Sequence, residues 1–238
     1  MQRAFSVQEF QSIPKDKRKF VYLETRALDE VVVRENNEPI VKIKQYSKSG
    51  RKIFFEPNND YAARVTVADM IYKAADLLPE GVHFMLYSGF RPIEIQQKLF
   101  DEIYNKYKLE NPDMSEDELW DYTTRMIADP KGCPPHTTGG AIDLTLCNEE
   151  GVEFDMGSKV DDADNMEKCA TFCDGLTNEQ KEMRNILYSV MEEIGFVNLP
   201  TEWWHYSYGD RYWAAYNDRT SSLYSAQSAK ECPGNYTR

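Results

Sequence analysis

Apolar residues recur at helical spacing in four stretches of this chain, and short β-branched or aromatic runs fill much of the rest. In VTVADMIYKAADLL (65–78), Val67, Ile71, Ala74, Ala75 and Leu78 share one face, and Pro79 closes the segment. A second helix is predicted through PIEIQQKLFDEIYNKYK, opening at Pro92, whose fixed φ suits a first helical turn. SEDELWDYTTRMIA (115–128) predicts a third, with Ser115 and Glu118 spaced as a capping box. TNEQKEMRNILYSVMEEIGF (177–196) predicts a fourth, ended at Gly195.

FVYLE (20–24), VVVRE (31–35), IVKIK (40–44) and KIFFE (52–56) read as short strands separated by polar and turn residues. HFMLYS (83–88) is a compact apolar strand that stops at Gly89, which leaves Arg91 on a strand-to-helix loop. In AIDLTL, Ala141, Asp143 and Thr145 share one face and Ile142, Leu144 and Leu146 the other, so the second face is the core side. WWHYSY and YWAAYN, joined across YGDR, read as an aromatic hairpin. Helices and strands mix without strict βαβ alternation. The expected class is α+β, with a small, mainly antiparallel sheet flanked by helices in a single domain spanning 1–238.

Composition narrows the function. The 238 residues are 41% hydrophobic and 29% charged, enough for a sizeable core. A formal net charge of -12 repels polyanions over most of the surface, which disfavours nucleic acid as a partner. No apolar run is long enough to span a membrane, and the first twenty residues alternate polar with apolar instead of forming a secretion signal. The expected location is the cytoplasm, or the periplasm if a signal was removed before residue 1. Five irregularly spaced cysteines, Cys133, Cys147, Cys169, Cys173 and Cys232, read as mostly reduced thiols. Cys169 and Cys173 lack the second ligand pair that a structural zinc site needs.

The chain has only three histidines. His83 opens an apolar strand and reads as a strand-end residue. His136 lies in PPHTTGGAIDLTL, where Gly139 and Gly140 permit a tight turn that can bring it back over Asp143. His205, in PTEWWHYSY, shares a strand face with Trp203. An extended chain would point Glu202 away from His205, so a joint role requires Glu202 to sit at the loop-to-strand boundary. Taken singly, Asp143 fits an exposed sheet acid and His205 a satisfied core histidine. Together, His136, Asp143 and His205 make a three-ligand set with an open fourth position, the composition of a hydrolytic zinc centre. Glu202 is then the candidate proton acceptor and Arg91 the candidate oxyanion donor.

These segments, with SGFRP before them and EWWH after, resemble the zinc D-alanyl-D-alanine dipeptidases of the vancomycin-resistance type, within the peptidase M15 metallopeptidases. The likeness spans roughly residues 59–210, leaving 1–58 unmatched and the stretch from about 218 as a mobile tail. It implies one zinc ion on His136, Asp143 and His205, a catalytic Glu202, a transition-state Arg91, and Asp161 in MGSKVD as the contact for a substrate ammonium group. Asp155, Asp162 and Asp164 lie close to Asp161. The implied substrate is free D-Ala-D-Ala. Where the family commonly carries a serine two residues before its first ligand, this chain has Pro134, which offers neither hydroxyl nor N–H. That departure keeps open a D,D-carboxypeptidase or endopeptidase acting on peptidoglycan stem peptides. A binding module without turnover is disfavoured by the presence of both Glu202 and Arg91.

Overall fold

A computed structural model describes residues 5–23, 25–56, 61–124 and 126–231. Its centre is a five-stranded sheet of β3 (Ile53–Phe55), β5 (His83–Ser88), β6 (Ala141–Cys147), β8 (His205–Ser207) and β7 (Val197–Asn198), side by side in that order. Only the β3–β5 pair is parallel; the other three are antiparallel. The expected α+β class with a mainly antiparallel sheet is what the chain forms.

β6 is the middle strand, and all seven of its residues are buried. Ile142, Leu144 and Leu146 face the main core, where α3 (Val65–Leu77) and α6 (Asn178–Ile194) supply Val67, Ile71, Leu187 and Met191. α3 stops before Pro79, and α6 runs from a Thr177/Gln180 capping box to Gly195 at φ +102°, so both ends follow the sequence signals. α4 (Ile93–Glu110) and α5 (Glu116–Thr124) pack on one another at the side. α5 ends four residues earlier than its apolar pattern predicts.

The N-terminal region holds two short helices, α1 (Val7–Ser12) and α2 (Lys15–Arg18), with β1 (Val32–Val33), β2 (Ile40–Lys42) and, further on, β4 (Ala62–Arg64). The strand expected at 20–24 is irregular chain over 20–23, with Leu23 buried; residue 24 lies outside the described residues. α1 is closed by a full Ser6/Glu9 capping box. The second half of the expected hairpin is a helix, α7 (Arg211–Tyr216). Gly209 takes φ +74° and Asp210 accepts from the Trp213 N–H at 2.8 Å, so a helix N-cap overrides the aromatic strand preference of YWAAYN. Tyr212, Trp213 and Tyr216 pack with Val7, Phe10 and Leu23 into a second cluster.

The stretch after 218 is also packed, where a mobile tail was expected. β9 (Ser221–Ser222) pairs with β1, Tyr224 is buried, and the Ser225 N–H and hydroxyl both donate to Glu35 at 2.7 Å. Residues 232–238, including Cys232, lie outside the described residues. Arg64 gathers these ends around the centre: its guanidinium forks onto Glu35 at 3.0 and 2.9 Å, while its Nε donates to the Thr138 carbonyl at 2.7 Å. The loop that carries His136 is thereby fixed from behind.

Candidate metal centre

Strand register does most of the assembly. Asp143 sits directly opposite His205 on one side and opposite Ser88 on the other. Residues directly opposed in antiparallel strands project to the same face, so Asp143 and His205 meet without any loop adjustment. His136 reaches them from a single 3-10 turn, Pro135–Thr138, held by Pro134 before it and by Gly139 at φ +72° after it. The loop after β5 is stitched to this turn: the Arg91 N–H donates to the His136 carbonyl at 3.0 Å, and His136 Nδ1 lies 2.9 Å from the Gly89 carbonyl. Gly89 is required there, since a Cβ would stand 2.6 Å from the Ala62 carbonyl oxygen.

The Gly89 contact fixes the imidazole tautomer. With Nδ1–H donating to that carbonyl, Nε2 of His136 turns its lone pair inward. His136 Nε2 is 3.0 Å from Asp143 Oδ2, and His205 Nδ1 is 2.9 Å from Asp143 Oδ1. All three side chains are buried, and one donor atom from each lies within 4.8 Å of the others. Behind His205, Nε2 is 3.4 Å from the Ser207 hydroxyl, so its second nitrogen also has an oxygen partner. Two nitrogens and a carboxylate converging at this separation, each nitrogen backed by an oxygen, fit a small divalent cation.

Glu202 stands in the turn that enters β8, where the His205 N–H reaches the Glu202 carbonyl at 3.2 Å. The turn brings Glu202 Oε2 to 3.8 Å from His205 Nδ1, meeting the boundary condition set by the sequence. Burial pushes the Glu202 carboxyl up to about 7; His205 pulls it down and Asp143 pushes it further up. For Asp143, burial disfavours the charge, but the His136 and His205 imidazoles outweigh it and hold the carboxyl below its usual range. Burial lowers His205, and the Asp143 hydrogen bond more than reverses this, raising it to about 9.

Arg91 lies close enough for its charge to act on both Glu202 and Asp161. Its Nη1 donates to Gln96 Oε1 at 3.0 Å, and its buried Nε has no partner among the described residues. Gln96 is itself buried and donates to the Ala128 carbonyl at 2.8 Å, which locks the guanidinium in place. Nothing in the local sequence marks Gln96 except its place one turn into α4. Asp161 stands at the exposed rim with φ +56°. Partial desolvation of its carboxyl, then repulsion from Asp143, raises it. Pro134 N-caps the 3-10 turn without a side-chain hydrogen bond. His83 lies apart from this group, with Nδ1 3.2 Å from the Lys52 carbonyl.

An α+β chain with an imidazole–carboxylate–imidazole set, a raised carboxyl and a guanidinium at one end of its sheet has the parts of a metallohydrolase. Residues 50–226 match the family model Peptidase_M15, D-ala-D-ala dipeptidase, and the chain belongs to that family. A D-alanyl-D-alanine dipeptidase of Synechocystis sp. is 26% identical over 212 residues, covering 77% of this chain and 84% of the relative. The protein of that name from Escherichia coli is 30% identical over 126 residues, 53% of this chain and 55% of the relative. A crystal structure of a variant of the vancomycin-resistance D,D-pentapeptidase VanY with Zn(II) superposes at a TM-score of 0.38 and 19% identity, over 80% of this chain and 92% of that one. No described helix is long and apolar enough to cross a membrane.

Proposed function

We propose that this chain is a zinc-dependent dipeptidase hydrolysing D-Ala-D-Ala, with His136, Asp143 and His205 holding one Zn2+. The observation that carries this reading is the pair of contacts from Asp143 to the inward nitrogens of the two imidazoles. Family membership and the names of the relatives support the substrate. When bound, zinc supplies Lewis acidity, polarising the scissile carbonyl and acidifying water.

The chain's own residues do the rest. Glu202 accepts a proton from the attacking water and passes it to the leaving amine, so the peptide C–N bond breaks as an N–H bond forms. A carboxyl raised by burial is a better base than a solvated one. Arg91, with Nε unpartnered among the described residues and Nη1 tied to Gln96, presents a fixed cation to the developing oxyanion. Asp161 receives the substrate ammonium group at the rim. An amide nitrogen in its place would leave that carboxylate without a counter-charge, which discriminates against longer peptides.

Product analysis on the zinc-loaded protein with D-Ala-D-Ala, L-Ala-L-Ala and a tripeptide ending in D-Ala-D-Ala tests the substrate. Only D-Ala-D-Ala is expected to turn over, and Asp161→Asn should raise its KM at least about tenfold. Cleavage of the tripeptide alone would replace this reading with a D,D-carboxypeptidase.

Metal uptake carries a pH signature. His205 holds a proton up to about 9 in the metal-free protein, and zinc must displace it. Apparent zinc affinity should therefore climb with pH from 6 to 9 and level off above, as read by chelator competition. A flat profile would remove His205 from the ligand set.

A further inference from the structure

The segment that carries Asp161 is closed at its base by one side chain that the mechanism does not use. Arg184, in the first half of α6, is buried at 3% exposure. Its Nε donates to the Met156 carbonyl at 2.7 Å, Nη2 to the Lys168 carbonyl at 2.6 Å, and Nη1 to the Ala170 carbonyl at 2.7 Å. A longer contact from Nη1 reaches the Cys173 thiol at 3.6 Å. These are the two ends of the stretch 156–170, and Asp161 lies between them.

The guanidinium face rests on the Trp203 ring at 5.4 Å. Trp203 is the neighbour of Glu202, and it is bonded to the same stretch twice: its backbone N–H donates to the Cys169 carbonyl at 2.9 Å and its indole N–H to the Ser158 hydroxyl at 2.9 Å. The Ser158 hydroxyl in turn donates to the Lys168 carbonyl at 3.2 Å. One planar cation thus draws both ends of the rim segment together and ties them to the turn that holds Glu202. Asp161 takes φ +56°, a left-handed conformation that costs a non-glycine residue some free energy, and the fixed ends of the segment help to hold it there.

We propose that Arg184 is a positioning residue that sets Asp161 to receive the substrate amine, and so fixes selectivity for a free dipeptide. The inference rests on the dipeptidase reading above. Lysine cannot substitute, since a single ammonium lacks the planar fork that reaches three carbonyls on two sides.

The test separates amine recognition from general damage. In a zinc-loaded Glu202→Gln background, where turnover is stopped, calorimetry compares D-Ala-D-Ala with propionyl-D-alanine, its analogue without the amine. The parent should prefer D-Ala-D-Ala, and Arg184→Lys should cut that preference about tenfold while propionyl-D-alanine and zinc bind as before. Ser158→Ala, a milder change at the same junction, should shift the preference in the same direction and serves if Arg184→Lys does not fold. Equal weakening of both ligands, or an unchanged preference in a folded variant, would overturn the role of Arg184. Asp161→Asn is run beside them: if it leaves the preference intact, the ammonium contact itself is wrong, whereas loss in Asp161→Asn alone dismisses only Arg184.

Discussion

Glu202→Gln is expected to bind zinc like the parent and to lose D-Ala-D-Ala hydrolysis by about two to four orders of magnitude in kcat. The amide keeps the size and hydrogen-bonding reach of the carboxylate but cannot take a proton. Because Glu202 is not one of the three converging donors, metal content measured by atomic absorption should not change. The parent should also lose activity as pH falls through the Glu202 pKa. In the metal-free protein burial places that near 7, and a bound cation would draw it lower, so the acid limb belongs at or below pH 7. Residual activity in Glu202→Gln should lack that limb. A variant within threefold of the parent would show that another group moves the proton.

The proposed site was more legible in the sequence than the scaffold that positions it. His136, Asp143, Glu202 and His205 stand in compact motifs whose residue types announce metal chemistry, and β6 showed its core side by alternation. What spacing cannot show is register: that Asp143 opposes His205 across two strands 62 residues apart is fixed by the whole sheet. Gln96, Arg64 and Arg184 escaped notice for a related reason. Each is a buried polar side chain satisfied by carbonyls or carboxylates far away in sequence, and only the assembled fold reveals the partner.

The scaffold errors were of two physical kinds. YWAAYN has the composition of a strand, but Asp210 caps Trp213, and capping decided the local structure. Ser6 and Glu9 cap α1 in the same way, a helix the sequence reading did not predict. The stretch after 218 is polar and reads as a tail. Its order comes from outside it: Glu35 accepts from Ser225 and Gln227, and Tyr224 lies against the Arg64 guanidinium at 4.9 Å. Polar residues pack when charged partners are already buried beside them, a condition composition does not record.

Asp143→Ala should weaken zinc binding by more than about a hundredfold, beyond the usual cost of losing an outer partner of a ligand. It should also change how the metal-free protein responds to pH. Asp143 is held below its usual range, so its contribution to stability is present above its unfolded pKa near 3.8 and is lost as pH falls. His205 is raised, so its contribution is complete below its unfolded value near 6.5 and is lost as pH rises through about 9. The two windows overlap between roughly pH 4 and 6.5, where Asp143 and His205 together stabilise the metal-free parent most. Zinc reverses the slope above pH 6.5, because it binds the imidazoles without their protons and does so more tightly as pH rises. Thermal melts with and without chelator from pH 5 to 9 should therefore diverge with pH in the parent. In metal-free Asp143→Ala the imidazoles lose their common partner, the stability near pH 6 should drop by about 3 kcal/mol, and the decline towards pH 9 should vanish. A metal-free variant that melts with the parent's pH profile would mean that the carboxylate does not couple the two histidines.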